Sequence, residues 1–254
     1  MGTIKAILFD KDGTLMDFHS IWVKVAEEVV TEFINHHTLP ITRKATILSE
    51  IGVDGEFVDP YSALAAGTSK DLAYLFQKHV PSVTYSEVHE WISDNLFSTL
   101  YKQRSHMKMT ANLPKLLTTL KKKNYIVGII TADDYASTEL FLQQYELQSF
   151  FDFIVTSDTF PVQKPNKQIV EVFCSKFNIS PNEVVIVGDT PTDLHLAKNS
   201  GAGYGIGVLS GTGDEKTLAP LADVLLPSVE NLILKTGKFV WEETSFIYEE
   251  ESLL

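Results

Sequence analysis

The stretch Ile4-Lys5-Ala6-Ile7-Leu8-Phe9-Asp10-Lys11-Asp12-Gly13-Thr14 decides how the rest of this chain is read. A short, mostly apolar run from Ile4 to Phe9 stops at Asp10, and Gly13 three residues later permits a sharp turn. That pattern is a buried strand ending in a functional loop, with two acids at the strand's carboxyl end. Downstream, helices and strands alternate. An amphipathic helix carrying Leu113, Leu116, Leu117 and Leu120 precedes strands expected at Tyr125–Ile130, Phe151–Val155, Glu183–Val187, Tyr204–Val208 and, briefly, Asp223–Leu226. Such alternation implies a doubly wound, Rossmann-like α/β fold: a parallel sheet with helices on both faces, whose ligands gather beyond the carboxyl ends of the strands.

Between the first strand and Leu113 the texture is helical. Trp22, Val25, Ala26, Val29 and Phe33 recur at helical spacing, as do Val88, Trp91, Ile92, Leu96 and Leu100. Shorter helices fit Ile41–Ile51, closed by Gly52, and Lys70–His79, entered through Thr68 and Ser69. Residues 17–107 are therefore expected to form a helical cap domain inserted into a core made of residues 1–16 and 108–234. Residues 235–254 form an acidic, aromatic tail that is either docked or mobile.

Composition narrows the function classes. With 44% hydrophobic and 21% charged residues, the 254-residue chain is too apolar for disorder and long enough for one large or two modest domains. A formal charge of −12 disfavours nucleic acid and anionic membrane surfaces as partners, although a cationic pocket inside an acidic shell is compatible with it. The single cysteine, Cys174, cannot make an internal disulfide and lies in a helical apolar pattern, so redox chemistry is not indicated. No apolar run is long enough to span a bilayer, and the expected location is cytoplasmic.

Four polar clusters follow four of the expected strands. They are Asp10-Lys11-Asp12-Gly13-Thr14, then Thr131-Ala132-Asp133, then Lys164-Pro165, then Gly188-Asp189-Thr190-Pro191-Thr192-Asp193. A parallel sheet brings all four to one edge. Together they supply carboxylate oxygens for a hard metal ion, and an ammonium, a hydroxyl and turn N–H groups for phosphoryl oxygens.

These motifs resemble the haloacid dehalogenase superfamily, and within it the small-molecule phosphatases that carry a helical cap just after the first motif. The resemblance spans Ile4 to about Leu226 and is most specific in the first and fourth clusters. It implies that Asp10 attacks phosphorus and that Asp12 protonates the leaving alcohol and then activates water. It implies phosphoryl contacts from Thr131, Ala132 and Lys164. It also implies Mg²⁺ held by Asp10, Asp189 and the Asp12 backbone carbonyl, with Asp193 supporting the metal's water shell or Lys164. The implied substrate is a small phosphorylated metabolite, the nearest named activity is phosphoglycolate phosphatase, and the protein is expected as a monomer or homodimer. An aspartate at position 12 fits phosphate transfer to or from oxygen, because dehalogenases, phosphonatases and transport ATPases of the superfamily usually lack it there. A phosphomutase of the same fold and a non-catalytic phosphate-binding module are the alternatives.

Each residue also has a plainer reading. An Asp pair before Gly occurs in calcium loops and ordinary turns. Lys164 taken alone is a solvated loop lysine, and Thr131 is a helix N-cap. Asp133 and Asp134 read as first-turn acids favoured by the helix dipole. In the cap, Arg43 is either a bidentate reader of a second anionic group on the substrate or a surface helix arginine, and His19 is a weaker candidate of the same kind. The stretch Asp59–Lys70 is expected to be the cap loop that lies over the site.

Overall fold

In a computed structural model, described here for residues 3–243, the first strand β1 (Ala6–Phe9) occupies the middle of a six-stranded sheet. Its partners are β4 (Ile126–Ile130) on one side and β6 (Val184–Gly188) on the other, both parallel. The sheet extends to β5 (Phe153–Val155) at one edge and through β7 (Tyr204–Val208) to β8 (Val224–Leu226) at the other, giving the order β5-β4-β1-β6-β7-β8. Every pairing in it is parallel. The three central strands are apolar throughout because both faces are covered. Their alternate residues divide cleanly: Ile7, Phe9, Val127, Ile129, Val185 and Val187 enter one core cluster, and Ala6, Leu8, Ile130, Val184 and Ile186 the other.

The helices that cover these faces follow from the same periodicity. On one side, α5 (Leu113–Lys122) buries Leu113, Leu116, Leu117 and Leu120, and α6 (Tyr135–Gln144) buries Phe141 and Leu142. On the other, α7 (Gln168–Phe177) buries Ile169, Val170 and Phe173, and α8 (Pro191–Ser200) buries Leu196 and Ala197. A short α9 (Glu215–Leu218) follows β7. The doubly wound α/β reading is therefore correct. Cys174 is buried on α7, where burial first and Glu183 second push its thiol up to about 11, so it is an inert core residue.

Between β1 and β4 lie α1 (Trp22–His36), α2 (Arg43–Glu50), a two-strand hairpin of β2 (Val53–Asp54) and β3 (Phe57–Val58), α3 (Ser69–Gln77) and α4 (Tyr85–Gln103). The hairpin is absent from the sequence reading, since two-residue strands carry no detectable alternation. Phe33 on α1 sits at the centre of this layer, its ring 4.8 Å from Phe76 and 5.3 Å from Trp91. The chain leaves and re-enters the sheet layer side by side: Asp17 N–H donates to Lys108 O at 2.8 Å and Thr110 N–H to Leu15 O at 3.0 Å.

Expected strand ends shift by one to three residues where a side chain takes a backbone donor. Asp152 accepts from Val127 N–H at 2.9 Å and Asp223 from Gly205 N–H at 2.7 Å, so each stands just before its strand. The beginning of the tail docks. Phe239 stacks on Trp241 at 4.7 Å, Trp241 Nε1 donates to Tyr125 Oη at 3.0 Å, and Lys123 pairs with Glu242 at 2.8 Å. The rest of the tail, residues 244–254, lies outside the described residues.

Candidate active site

Parallel pairing delivers the carboxyl ends of β1, β4 and β6 to one rim, and the residue after each strand is polar: Asp10, Thr131 and Asp189. The loop after β5 adds Lys164, preceding Pro165 across a cis peptide bond. Lys164 Nζ lies 2.6 Å from Asp10 Oδ1 and 2.6 Å from Asp193 Oδ1, so clusters distant in sequence meet at one ammonium. Asp193, on the first turn of α8, is held by its own helix start: its Oδ2 accepts from Thr190 N–H at 3.1 Å and from Thr190 Oγ1 at 2.6 Å. Asp189 is fully buried, its Oδ1 accepting from Thr14 Oγ1 at 3.1 Å and its Oδ2 from Thr212 N–H at 2.9 Å.

Carboxylate oxygens of Asp10, Asp189 and Asp193 all lie within 4.8 Å of one another, and all three residues are buried. Burial pushes the Asp10 carboxyl up to about 7; Lys164 opposes the rise, and Asp193 and Asp12 add to it. Burial, then Asp10 and Asp193, raises Asp189 well above the usual carboxylate range. Lys164 gains from the same neighbours: burial works against its charge, but Asp10 and Asp193 hold it above the ordinary lysine value. Three buried acids against one ammonium leave an excess of negative charge on hard oxygen donors. A divalent hard cation such as Mg²⁺ fits that donor set. Glycines keep the space closed around it, since a Cβ on Gly13 or Gly211 would overlap the Asp189 carboxylate, and Gly13 also has φ +83°.

Asp12 is held by a second arrangement. Its Oδ1 accepts from Lys11 Nζ at 2.6 Å and from the Trp22 indole N–H at 2.6 Å. Lys11 is wholly buried, also pairs with Asp133 Oδ2 at 2.9 Å, and stands 5.7 Å from the centre of the Trp22 ring. The first-turn reading of Asp133 and Asp134 needs correction. Asp134 is the N-cap of α6 and Asp133 precedes it, turned inward to Lys11, where burial raises its carboxyl to about 7 against the pull of Lys11. Nor does Thr131 cap α6: its Oγ1 accepts from Asp133 N–H at 3.1 Å within the loop.

A cavity of about 270 Å³ opens over these groups. Asp10, Asp12, Thr131, Ala132 and Lys164 line its floor, and Phe18, Trp22, Leu64, Gly67, Ser69 and Phe97 contribute walls. The Asp59–Lys70 stretch thus does reach the site, through residues 63–69. Arg43 and His19 are not brought there. Arg43 is the exposed first residue of α2, and His19 lines a separate surface hollow with Val23, Lys24 and Glu27.

Lys11, Trp22 and the loop Ser210-Gly211-Thr212-Gly213 have no place in the sequence reading. Trp22 is absorbed there into a helical apolar pattern. The loop does carry a legible sign, since its Gly-Thr-Gly run is a fifth polar cluster behind a strand, β7.

A doubly wound sheet with a cap-covered cluster of acids and one lysine at its carboxyl rim defines a class of hydrolytic enzymes. Residues 7–205 match the family described as haloacid dehalogenase-like hydrolase, so the chain belongs to that family. It is 27% identical over 202 residues to the glyceraldehyde 3-phosphate phosphatase of Pyrococcus furiosus, covering 79% of each chain. It is 26% identical over 222 residues to the phosphoglycolate phosphatase of Vibrio cholerae, covering 86% of this chain and 90% of that one. In fold it is similar to CbbY from Rhodobacter sphaeroides, solved in complex with phosphate, with a TM-score of 0.68 at 18% identity over 92% of this chain and 99% of that one.

Proposed function

We propose that this protein is a Mg²⁺-dependent hydrolase of small phosphate monoesters that works through a phosphoaspartate at Asp10, with residues 17–107 as the cap over a core of residues 1–16 and 108–234. The observation that carries this reading is the meeting of Asp10, Lys164, Asp189 and Asp193 beneath one cavity. The named relatives support it at the level of the bond cleaved. Both are called phosphatases of small phosphorylated acids or aldehydes, and phosphoglycolate is the named ester that the sequence resembles.

Phosphate monoesters are among the slowest substrates to hydrolyse unaided, and a carboxylate approaches a phosphate dianion only where positive charge stands between them. Asp10 and Asp189, with the Asp12 carbonyl, would hold Mg²⁺, which supplies charge neutralisation between the nucleophile and the phosphoryl oxygens. Asp193 keeps Lys164 in place, and Lys164 donates to the phosphoryl group together with the Thr131 hydroxyl and the Ala132 N–H. Asp10 forms a new O–P bond as the ester O–P bond breaks, and Asp12 gives its proton to the departing alcohol. Asp12 then takes a proton from water as the water oxygen bonds to phosphorus and the Asp10–phosphorus bond breaks, which restores both acids and releases phosphate. The cap walls exclude bulk water from this exchange.

Asp10→Asn keeps the size of the side chain and removes its nucleophilic charge. Magnesium-dependent phosphate release from an aryl phosphate is expected to fall to background. Substantial residual release would overturn Asp10 as the nucleophile.

A further inference from the structure

Resting on the phosphatase reading, the inference concerns the alcohol half of the substrate. The cavity, at about 270 Å³, lies below the roughly 300–1,000 Å³ of pockets that take drug-sized ligands, so beyond the phosphoryl group it admits only a short alcohol. Among its described lining residues Lys164 is the sole Lys or Arg, and its ammonium is already divided between Asp10 and Asp193. Both arginines of the chain stand elsewhere: Arg43 is exposed on α2, and Arg104 lies 4.1 Å from the centre of the Tyr101 ring.

Two helix N-termini reach the cavity wall and would be the backbone route to a second anion. Each already holds carboxylates of the protein. At α3, Asp71 Oδ2 accepts from Thr68 N–H at 2.8 Å in a reciprocal capping box. At α6, Asp134 is the N-cap residue and Asp158 accepts from Tyr135 N–H at 2.9 Å. Asp134 is further engaged by the Ser69 and Ser157 hydroxyls. One lining acid differs from these. Asp94, exposed on α4 and lining the cavity, makes no hydrogen bond or ion pair among the described residues.

We infer that the enzyme selects esters whose alcohol carries no negative charge, a short hydroxyl- or ammonium-bearing alcohol, and that Asp94 is the specificity-determining residue. Its carboxylate accepts a hydrogen bond from such a group and repels a carboxylate or a second phosphate. Apolar neighbours on the same helix, Leu96 and Phe97, line the cavity with it and favour the alcohol's methylenes.

A matched two-carbon series tests this with Mg²⁺ present: 2-aminoethyl phosphate, 2-hydroxyethyl phosphate and phosphoglycolate, which differ in charge at nearly constant size. The carboxylate ester is expected to have a kcat/KM lower than the hydroxyl ester by about tenfold, the scale of one like-charge contact in a partly wet site. Asp94→Asn should shrink that ratio severalfold, and Asp94→Lys should shrink it further. Asp94 is an exposed helix residue, and the wild-type series is informative by itself. Phosphoglycolate turned over as well as the hydroxyl ester by the wild type would overturn the inference and leave the phosphatase reading intact. A ratio unmoved by Asp94→Asn would overturn the assignment to Asp94. No release from any ester, the aryl phosphate included, would overturn the phosphatase reading and this inference with it.

Discussion

Lys11 has no solvent exposure, and a buried ammonium stays charged only where carboxylates hold it. Burial alone would lower its pKa, but Asp12 and then Asp133 outweigh that and keep it above the ordinary lysine value. With the Trp22 indole it fixes Asp12 Oδ1 from two sides, and Trp22 belongs to the first helix of the cap layer, so the proposed acid–base group is positioned jointly by sheet and cap. Lys11→Met keeps the volume and strands two carboxylates. It is expected to cost about 3 kcal/mol of stability, the lower end for a broken buried pair because Asp12 and Asp133 are partly wetted. It should also lower kcat by roughly tenfold to a hundredfold through misplacement of Asp12. Denaturant unfolding and steady-state kinetics check the two effects separately, and a variant with wild-type kcat would show that Asp12 does not need this anchor. Asp10, Lys164 and Asp189 are legible in the sequence because strand pattern alone places each beside the rim. The role of Lys11 is not, since it depends on where α1 and the loop after β4 arrive in space.

At the scale of elements, the site is a set of strand ends with loops closed around them. Continuous apolar strands are easy to read because a parallel sheet is covered on both faces, and all six strands of the sheet fall within three residues of their expected ends. The hairpin β2–β3 and the loop after β7 are harder, one for shortness and the other because backbone, not side-chain chemistry, does its work. Gly211 shows what that backbone does. Ser210 Oγ donates to Gly13 O at 2.7 Å and Thr212 N–H to Asp189 Oδ2 at 2.9 Å, so the loop ties β1's turn to the acid after β6, with Gly211 passing directly against that acid. Gly211→Ala places a methyl group where the Asp189 carboxylate stands. The fold should persist, since the loop is at the rim, while the Mg²⁺ concentration for half-maximal phosphate release should rise by about 10–100-fold, the usual cost of disturbing the support of a metal ligand. An unchanged magnesium requirement with unchanged circular dichroism would mean that Asp189 does not hold the ion.

The whole molecule gathers negative charge, −12 in net, and concentrates part of it in its interior, where Asp10, Asp189 and Asp133 all titrate above the usual carboxylate range. In the unfolded chain these acids ionise near their ordinary value of 3.8, whereas the folded, metal-free protein retains the protons of Asp10 and Asp133 to about 7. Between those values the folded state binds more protons than the unfolded one, so metal-free stability falls as pH rises through that window. Where Mg²⁺ binds, the ion replaces the proton at Asp10 and Asp189 and adds stability by mass action, more so as the competing protons leave. Asp133 lies with Lys11, apart from the cluster of Asp10, Asp189 and Asp193, so its share of the pH dependence remains when the ion is bound. The metal-free Tm is therefore expected to decline from about pH 5 to about pH 8, and the increment in Tm from added Mg²⁺ to grow over the same range without restoring the acid-side value in full. Differential scanning fluorimetry across that range, with EDTA or with Mg²⁺, reads both quantities. A flat metal-free profile together with a pH-independent magnesium increment would show that these acids are not the groups that exchange protons for the ion.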